Sequence, residues 1–260
     1  LCVLVFTSAH GNKQPIAMKG ANLIKALGVI GASIAVQQIL LVIFAFKQVQ
    51  ELGQGLSWSI SGGTVHIAGR EPASILEFMG GIGMVWGTLA GLVALLLGGW
   101  LLFGRNLTIF ALRGFSWKSA LPWLGVAVVV MVVLTVLEHY IPSLSSEGMN
   151  EMMRRAAGSS GVVVVLLAAG LLVPVFEELV FRGILYSALD DMGGSWLAVV
   201  VTSLAFAFAH MQYGLLLISL TFLLGLLFAL LRRATGSVWP GVLVHVANNS
   251  IAVLMALYAV

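Results

Sequence analysis

The chain of 260 residues has a single cysteine, Cys2, and only 9% of its residues are charged. One cysteine excludes an internal disulfide and any cysteine-cluster zinc or iron-sulfur centre. Soluble domains carry roughly 25% charged residues, so the shortage of charge excludes a soluble globular protein. Thirteen Lys and Arg against ten Asp and Glu leave a net charge of +3. These cations are scattered and form no stripe, which argues against nucleic acid as a partner. The chain also lacks a Gly-x-Ser-x-Gly elbow, a Walker loop and a Gly-x-Gly-Asp motif, which removes several hydrolase classes. No internal repeat, low-complexity tract or linker divides it.

What the sequence has instead is apolar length. Hydrophobic residues make up 60% of it, and the mean hydropathy is +1.07. Runs such as Leu27 to Phe46 contain no charge, and about 20 apolar residues cross a hydrocarbon core of ~30 Å. The expected fold is an all-α polytopic membrane protein with about seven crossings, near residues 27–46, 82–103, 119–137, 166–188, 196–211, 213–231 and 238–258. The pair between Trp196 and Leu231 is tight, so one of its two spans is expected to be short or tilted. Residues 1–17 lack an initiating Met and precede Met18-Lys19-Gly20, which reads as a natural start. They are treated as a leader or added segment. Residues 18–160 then form N-terminal spans with two long loops, and residues 161–260 form the helical core that carries the polar residues.

Orientation follows from the cations. With the N-terminus inside, Lys13, Lys19, Lys25, Arg105, Arg113, Lys118, Arg232 and Arg233 fall inside, and Lys47, Arg70, Arg154 and Arg155 outside. Trp100, Trp117, Trp123, Trp196 and Trp239 fall at the inner ends, where indoles favour the headgroup level. Of the outer loops, residues 47–80 alternate around Ser61-Gly62-Gly63 as a small hairpin would. The second, residues 139–160, places Met149, Met152, Met153 and Ala156 at helical spacing beside Glu147, Glu151, Arg154 and Arg155. That pattern predicts an interfacial helix, resting on lipid headgroups or closing over the site as a lid.

Charge at a helix centre in the membrane costs about 2.5–3.5 kcal/mol on insertion scales, so the polar residues inside the spans carry information. The last four spans contain Glu177, Glu178, Arg182, His210, His245, Asn248 and Asn249, whereas Gln37 and Gln38 are the strongly polar members of the first three. Glu178 and Arg182 are four apart and share a helix face, with Glu177 turned about 100° away. One carboxylate is thus paired and the other left to take up and return a proton, as acid or base work needs. A plain ion-pair tie between helices fits the same residues. His210 alone reads as an interhelical hydrogen-bonding partner. His245 and Asn249, again four apart, can present two donors to one anion or bond across helices. Counting 1.5 Å per residue from the inner ends puts the glutamates roughly 17–20 Å deep, His210 roughly 20 Å, and His245 to Asn249 roughly 10–17 Å. The groups can meet, and together they supply what water attack on an amide requires.

At these residues the sequence resembles the CPBP family of CAAX-prenyl-protease, bacteriocin-processing and Abi-type intramembrane proteases. Its three motifs occur in order as Glu177-Glu178-x-x-x-Arg182, Phe206-x-x-x-His210 and His245-x-x-x-Asn249, with Gly183 completing a Phe-Arg-Gly extension. The resemblance covers residues 165 to 255. It implies that Glu177, helped by His210, activates a water, and that His245 and Asn249 stabilise the oxyanion of the scissile peptide. Glu178, Arg182 and Phe206 would support them. It also implies candidates for a divalent metal such as zinc in Glu177, His210 and His245, although His-Glu-x-x-His is absent and a metal-free glutamate mechanism is the preferred reading. The expected function is an intramembrane endopeptidase acting on a membrane-associated protein or peptide, in the cytoplasmic membrane of a prokaryote. The alternative is a non-catalytic scaffold or immunity protein that binds a peptide partner. A proton-coupled transporter would need paired broken helices related by a repeat, which the chain lacks.

Overall fold

In the computed structural model, residues 16–75, 78, 81–105, 107–141, 147–211 and 215–258 are described. The expected leader, residues 1–17, therefore falls almost wholly outside the described residues, as does the break expected at Gln212 to Gly214.

Eight helices are seen among the described residues. They are α1 (Ile16–Leu52), α2 (Ile82–Phe103), α3 (Trp117–Tyr140), α4 (Glu147–Ser160), α5 (Val162–Gly193), α6 (Ser195–Phe208), α7 (Leu215–Thr235) and α8 (Trp239–Tyr258). Six of them, all but α4 and α6, contain segments long and apolar enough to cross a membrane. The membrane part of the chain is thus all-helical, with the six long apolar helices of a multi-pass membrane protein. The seventh expected crossing is α6, and its 14 residues cover only about 21 Å at 1.5 Å per residue. It stops short of a full crossing, so its C-terminal end and His210 lie at the depth of the bundle's interior. Helix α1 runs well beyond the expected residues 27–46, because no proline interrupts it and the long side chains of Lys25 and Lys47 tolerate the membrane boundary.

Small residues bring α1 and α2 together. A Cβ on Gly83, Gly87 or Gly91 would come within 3.0–3.2 Å of Phe44, Leu41 or Gln37, the four-residue spacing of close helix packing in membranes. Gln37 donates to Thr88 Oγ1 at 3.2 Å in that interface, which gives the polar residue a structural partner. Between the two helices the chain forms a three-stranded sheet of β1 (Trp58–Ser61), β2 (Thr64–Ile67) and β3 (Ala73–Ser74), in the order β1-β2-β3. Gly62 and Gly63 both adopt positive φ at the hairpin turn, as a two-residue turn matched to strand twist requires. Val65 and Ile67 bury their side chains with Val49 of α1.

Helix α4 shares that end of the bundle. Met153 and Ala156 pack with Val165 and Ala169 of α5 and Val253 and Ala256 of α8, and Arg154 donates to the Ala256 carbonyl at 3.1 Å. Its apolar face is thus packed on α5 and α8. Its charged face is exposed, with Glu151 paired to Arg155 at 2.7 Å. That hydrogen bond holds the Glu151 carboxyl below the usual glutamate range.

Helix α5 crosses the middle of the molecule and departs twice from α-helical winding. Leu166–Leu172 and Leu179–Leu185 are π-helical, and Val173–Glu178 between them is α-helical. The first departure has a cause in the sequence. Pro174 has no N–H to give the Gly170 carbonyl four residues earlier, and its ring crowds that carbonyl. Helix α8 supplies the missing donors: Asn249 Nδ2 lies 3.3 Å from the Ala169 oxygen, and Ser250 Oγ lies 3.5 Å from that of Gly170. The second departure surrounds Gly183, where a Cβ would come within 3.3 Å of the Phe110 main chain. Phe110, on a 3-10 turn at Thr108–Phe110, is fully buried there among Phe176, Leu179, Val180 and Ile184.

Candidate active site

The site is built on the α-helical turn of α5 between its two π segments. Glu178 and Arg182 are both fully buried and form an ion pair, Arg182 Nη1 donating to Glu178 Oε1 at 3.1 Å. A buried pair is tolerable only if further hydrogen bonds and packing offset desolvation. Arg182 Nη2 donates to the Gly225 carbonyl of α7 at 2.9 Å. The guanidinium also stands 4.5 Å from the Phe206 ring centroid and 5.1 Å from that of Phe228, so two aromatic faces help to hold the cation.

Glu178 Oε1 accepts a second bond, from His245 Nδ1 of α8 at 3.2 Å. The imidazole of His245 is stacked on Phe228, 4.8 Å between centroids at 24°, and meets Phe206 edge-on at 5.6 Å. This closeness of α5 and α8 depends on Gly241, because a Cβ there would lie 2.6 Å from Glu178 Oε2.

Glu177, on the next face of α5, is one-fifth exposed. Its Oε2 lies 3.6 Å from His245 Nε2, and its Oε1 lies 4.0 Å from His210 Nε2. These separations exceed a direct hydrogen bond and leave room for one bridging atom. His210 lies two residues past the end of α6, with Nδ1 2.8 Å from the Phe206 carbonyl. A carbonyl oxygen only accepts, so Nδ1 of His210 carries a proton, and its Nε2 is the nitrogen turned toward Glu177. His245 is placed differently, with one carboxylate facing each ring nitrogen. Two imidazoles thus flank the Glu177 carboxylate, one anchored at Nδ1 by a main-chain carbonyl and the other by the Glu178 carboxylate.

Six of the seven sequence-predicted site residues, Glu177, Glu178, Arg182, Phe206, His210 and His245, fall into this one cluster. Asn249 lies one turn further along α8, and its amide donates to the Ala169 carbonyl of the first π segment. Among the described residues no group of three or more His, Cys, Asp or Glu side chains has the arrangement of a metal site. No step below is routed through a metal. Sequence reading missed Gly225, Phe228 and Gly241, which touch the cluster but have no polar signal. It also read Arg232 as an orientation charge, whereas Arg232 is buried and donates to the Arg182 carbonyl at 3.0 Å. The signal that was available is its place seven residues after Gly225, two helical turns along the same face of α7.

With this geometry in place, comparison with known proteins finds similarity in the C-terminal part of the chain. Residues 159–251 match the family described as type II CAAX prenyl endopeptidase Rce1-like. An Escherichia coli protein named "Uncharacterized 24.3 kDa protein" is 34% identical over 87 residues, 32% of this chain and 40% of its own length. A Bacillus subtilis protein named "Putative membrane peptidase YdiL" is 28% identical over 89 residues, 34% of this chain and 36% of its own. The similarity thus spans about two fifths of these relatives or less. No solved structure gives a significant match.

Proposed function

We propose that this protein, whose residues 159–251 match the family described as type II CAAX prenyl endopeptidase Rce1-like, is an intramembrane endopeptidase that hydrolyses a peptide bond of a membrane-associated protein or peptide. The observation that carries the reading is the position of Glu177 between the Nε2 atoms of His210 and His245. A water beside Glu177 and His210 gives up a proton to the carboxylate as its oxygen attacks the scissile carbonyl carbon, and the Nε2 lone pair of His210 orients it. The carbonyl oxygen becomes an oxyanion and meets Nε2–H of His245, whose ring Glu178 holds at Nδ1. Collapse of the tetrahedral intermediate breaks the C–N bond, and Glu177 returns the proton to the leaving amine. Asn249 supplies a second donor for the oxyanion once substrate draws its amide from Ala169.

Glu178, Arg182 and Phe206 support this set: the first two fix His245, and Phe206 packs against both imidazoles and the guanidinium. Residues 161–260 form the catalytic core and residues 18–160 the flanking spans. The N-terminus lies on the cytoplasmic side of a prokaryotic membrane, on the strength of the cation distribution. Chelating agents are expected to leave turnover unchanged, and loss of activity restored by zinc would overturn the metal-free route.

The test compares new peptide termini, by mass spectrometry, in membranes of cells carrying the wild-type chain or Glu177→Ala at matched expression. Termini present only with the wild type support the peptidase and give its substrate class. Identical profiles with biological function retained would replace it with the peptide-binding scaffold.

A further inference from the structure

Helix α7 carries none of the motif residues, yet it grips Arg182 at both ends. Gly225 accepts from the guanidinium at 2.9 Å, and two turns later Arg232 Nε donates to the main-chain carbonyl of Arg182 at 3.0 Å. That carbonyl sits in the second π segment of α5. There the Tyr186 N–H bonds to Phe181 and Gly183 and skips the Arg182 oxygen it would take in an α-helix. Buried carbonyls need donors, and Arg232 gives this one a donor from another helix. The same fork reaches Ser187 Oγ at 3.3 Å through Nη2, and the guanidinium stands 4.9 Å over the Tyr186 ring.

A charge that served only to orient the chain would need no buried partners. Arg233, the adjacent residue, behaves in that way: it is exposed, donates to Ser195 Oγ at 3.1 Å and stacks 4.0 Å over Trp196. Arg232 is 8% exposed and spends its donors on α5.

We propose that Arg232 is a positioning residue for the reacting cluster: it holds the π register of α5 from which Arg182 aligns Glu178 on His245. This rests on the reading of Glu177 and His245 as the reacting groups. If the Arg182 carbonyl loses the Arg232 donor, the segment Leu179–Leu185 can rewind toward α-helical hydrogen bonding. The Arg182 side chain then turns relative to Gly225 and Glu178, and the Nδ1 contact of His245 is lost. Displacements of about 1 Å in such a set cost on the order of a hundredfold in rate.

The test uses the full chain in lipid nanodiscs, labelled with nitrogen-15 at histidine, with the His245 ring signals assigned by their loss in His245→Asn. Arg232→Met is expected to shift or erase the His245 Nδ1 proton signal. It should also lower kcat on the wild-type substrate roughly tenfold to a hundredfold with KM changed less than about twofold. Arg232→Lys should recover part of both effects, and Arg233→Met should match the wild type. A folded Arg232→Met with wild-type His245 signals and kcat overturns the proposal. If that variant does not fold, Arg232→Gln is read by the same criteria, and failure of both to fold overturns the specific role in favour of general support of the α5–α7 contact. A shifted His245 signal in a protein with no Glu177-dependent cleavage would keep the positioning and remove the peptidase reading.

Discussion

Glu178 and His245, 67 residues apart in sequence, are joined by a 3.2 Å contact between Oε1 and Nδ1, and the same carboxylate oxygen holds Arg182 at 3.1 Å. One oxygen thus couples a fully buried ion pair to the orientation of an imidazole whose other nitrogen faces Glu177. Stability and chemistry are linked through this residue, and the two can be separated by substitution.

Removing one member of the pair leaves the other charge buried. Glu178→Ala or Arg182→Ala should each destabilise the protein by about 3–5 kcal/mol. The double variant Glu178→Leu with Arg182→Met should recover most of that loss while cleavage stays low, because His245 has lost the partner at Nδ1. Thermal unfolding in nanodiscs, read beside turnover, checks this; a double variant as unstable as the singles would mean that lost packing, and not an unpaired buried charge, causes the damage.

Glu177 is partly exposed and has no salt bridge to an arginine or lysine among the described residues, so its removal should be felt in rate and hardly in stability. Glu177→Ala is expected to abolish detectable cleavage. His210→Ala should lower kcat by about 10²–10⁴-fold, the range of a lost acid–base partner, with unfolding temperatures close to wild type in both. Undiminished turnover by purified Glu177→Ala would sink the assignment.

Gly241→Ala tests the approach of α8 to α5. The added methyl would lie 2.6 Å from an oxygen of the fully buried Glu178 carboxylate, so overpacking of about 1–3 kcal/mol is expected together with reduced kcat. An equal substitution at Gly28, where a Cβ meets nothing within 4 Å, is the control and should leave both unchanged.

Helix α4 offers a pH prediction of known sign. The hydrogen bond from Arg155 holds the folded-state pKa of Glu151 below its unfolded value. The linked contribution to stability is therefore fully present above the ordinary glutamate range and is lost as pH falls through the lowered folded value. Proteolytic accessibility of α4 should be constant from about pH 5 to 8 and rise only in stronger acid. Glu151→Gln should remove that acid dependence; a rise near neutrality would place the responsible group elsewhere.

The sequence by itself determined what its periodicity and cost rules can reach. Long apolar runs marked six of the helices, alternation around Gly62-Gly63 marked the hairpin, and the expense of polar atoms in hydrocarbon singled out Glu177, Glu178, Arg182, His210 and His245. The four-residue spacing of Glu178 and Arg182 even gave their ion pair, because local helix geometry decides it. Only the tertiary structure decided the rest. Whether α4 met lipid or protein depended on Val253 and Ala256, about a hundred residues away. Asn249 turned to the Ala169 carbonyl because Pro174 disrupts the hydrogen bonding of a different helix. Gly225, Phe228, Gly241 and Arg232 act through contacts between helices, and an apolar ring, a missing Cβ or a basic residue near a helix end looks the same in sequence whether or not a reacting group is packed against it.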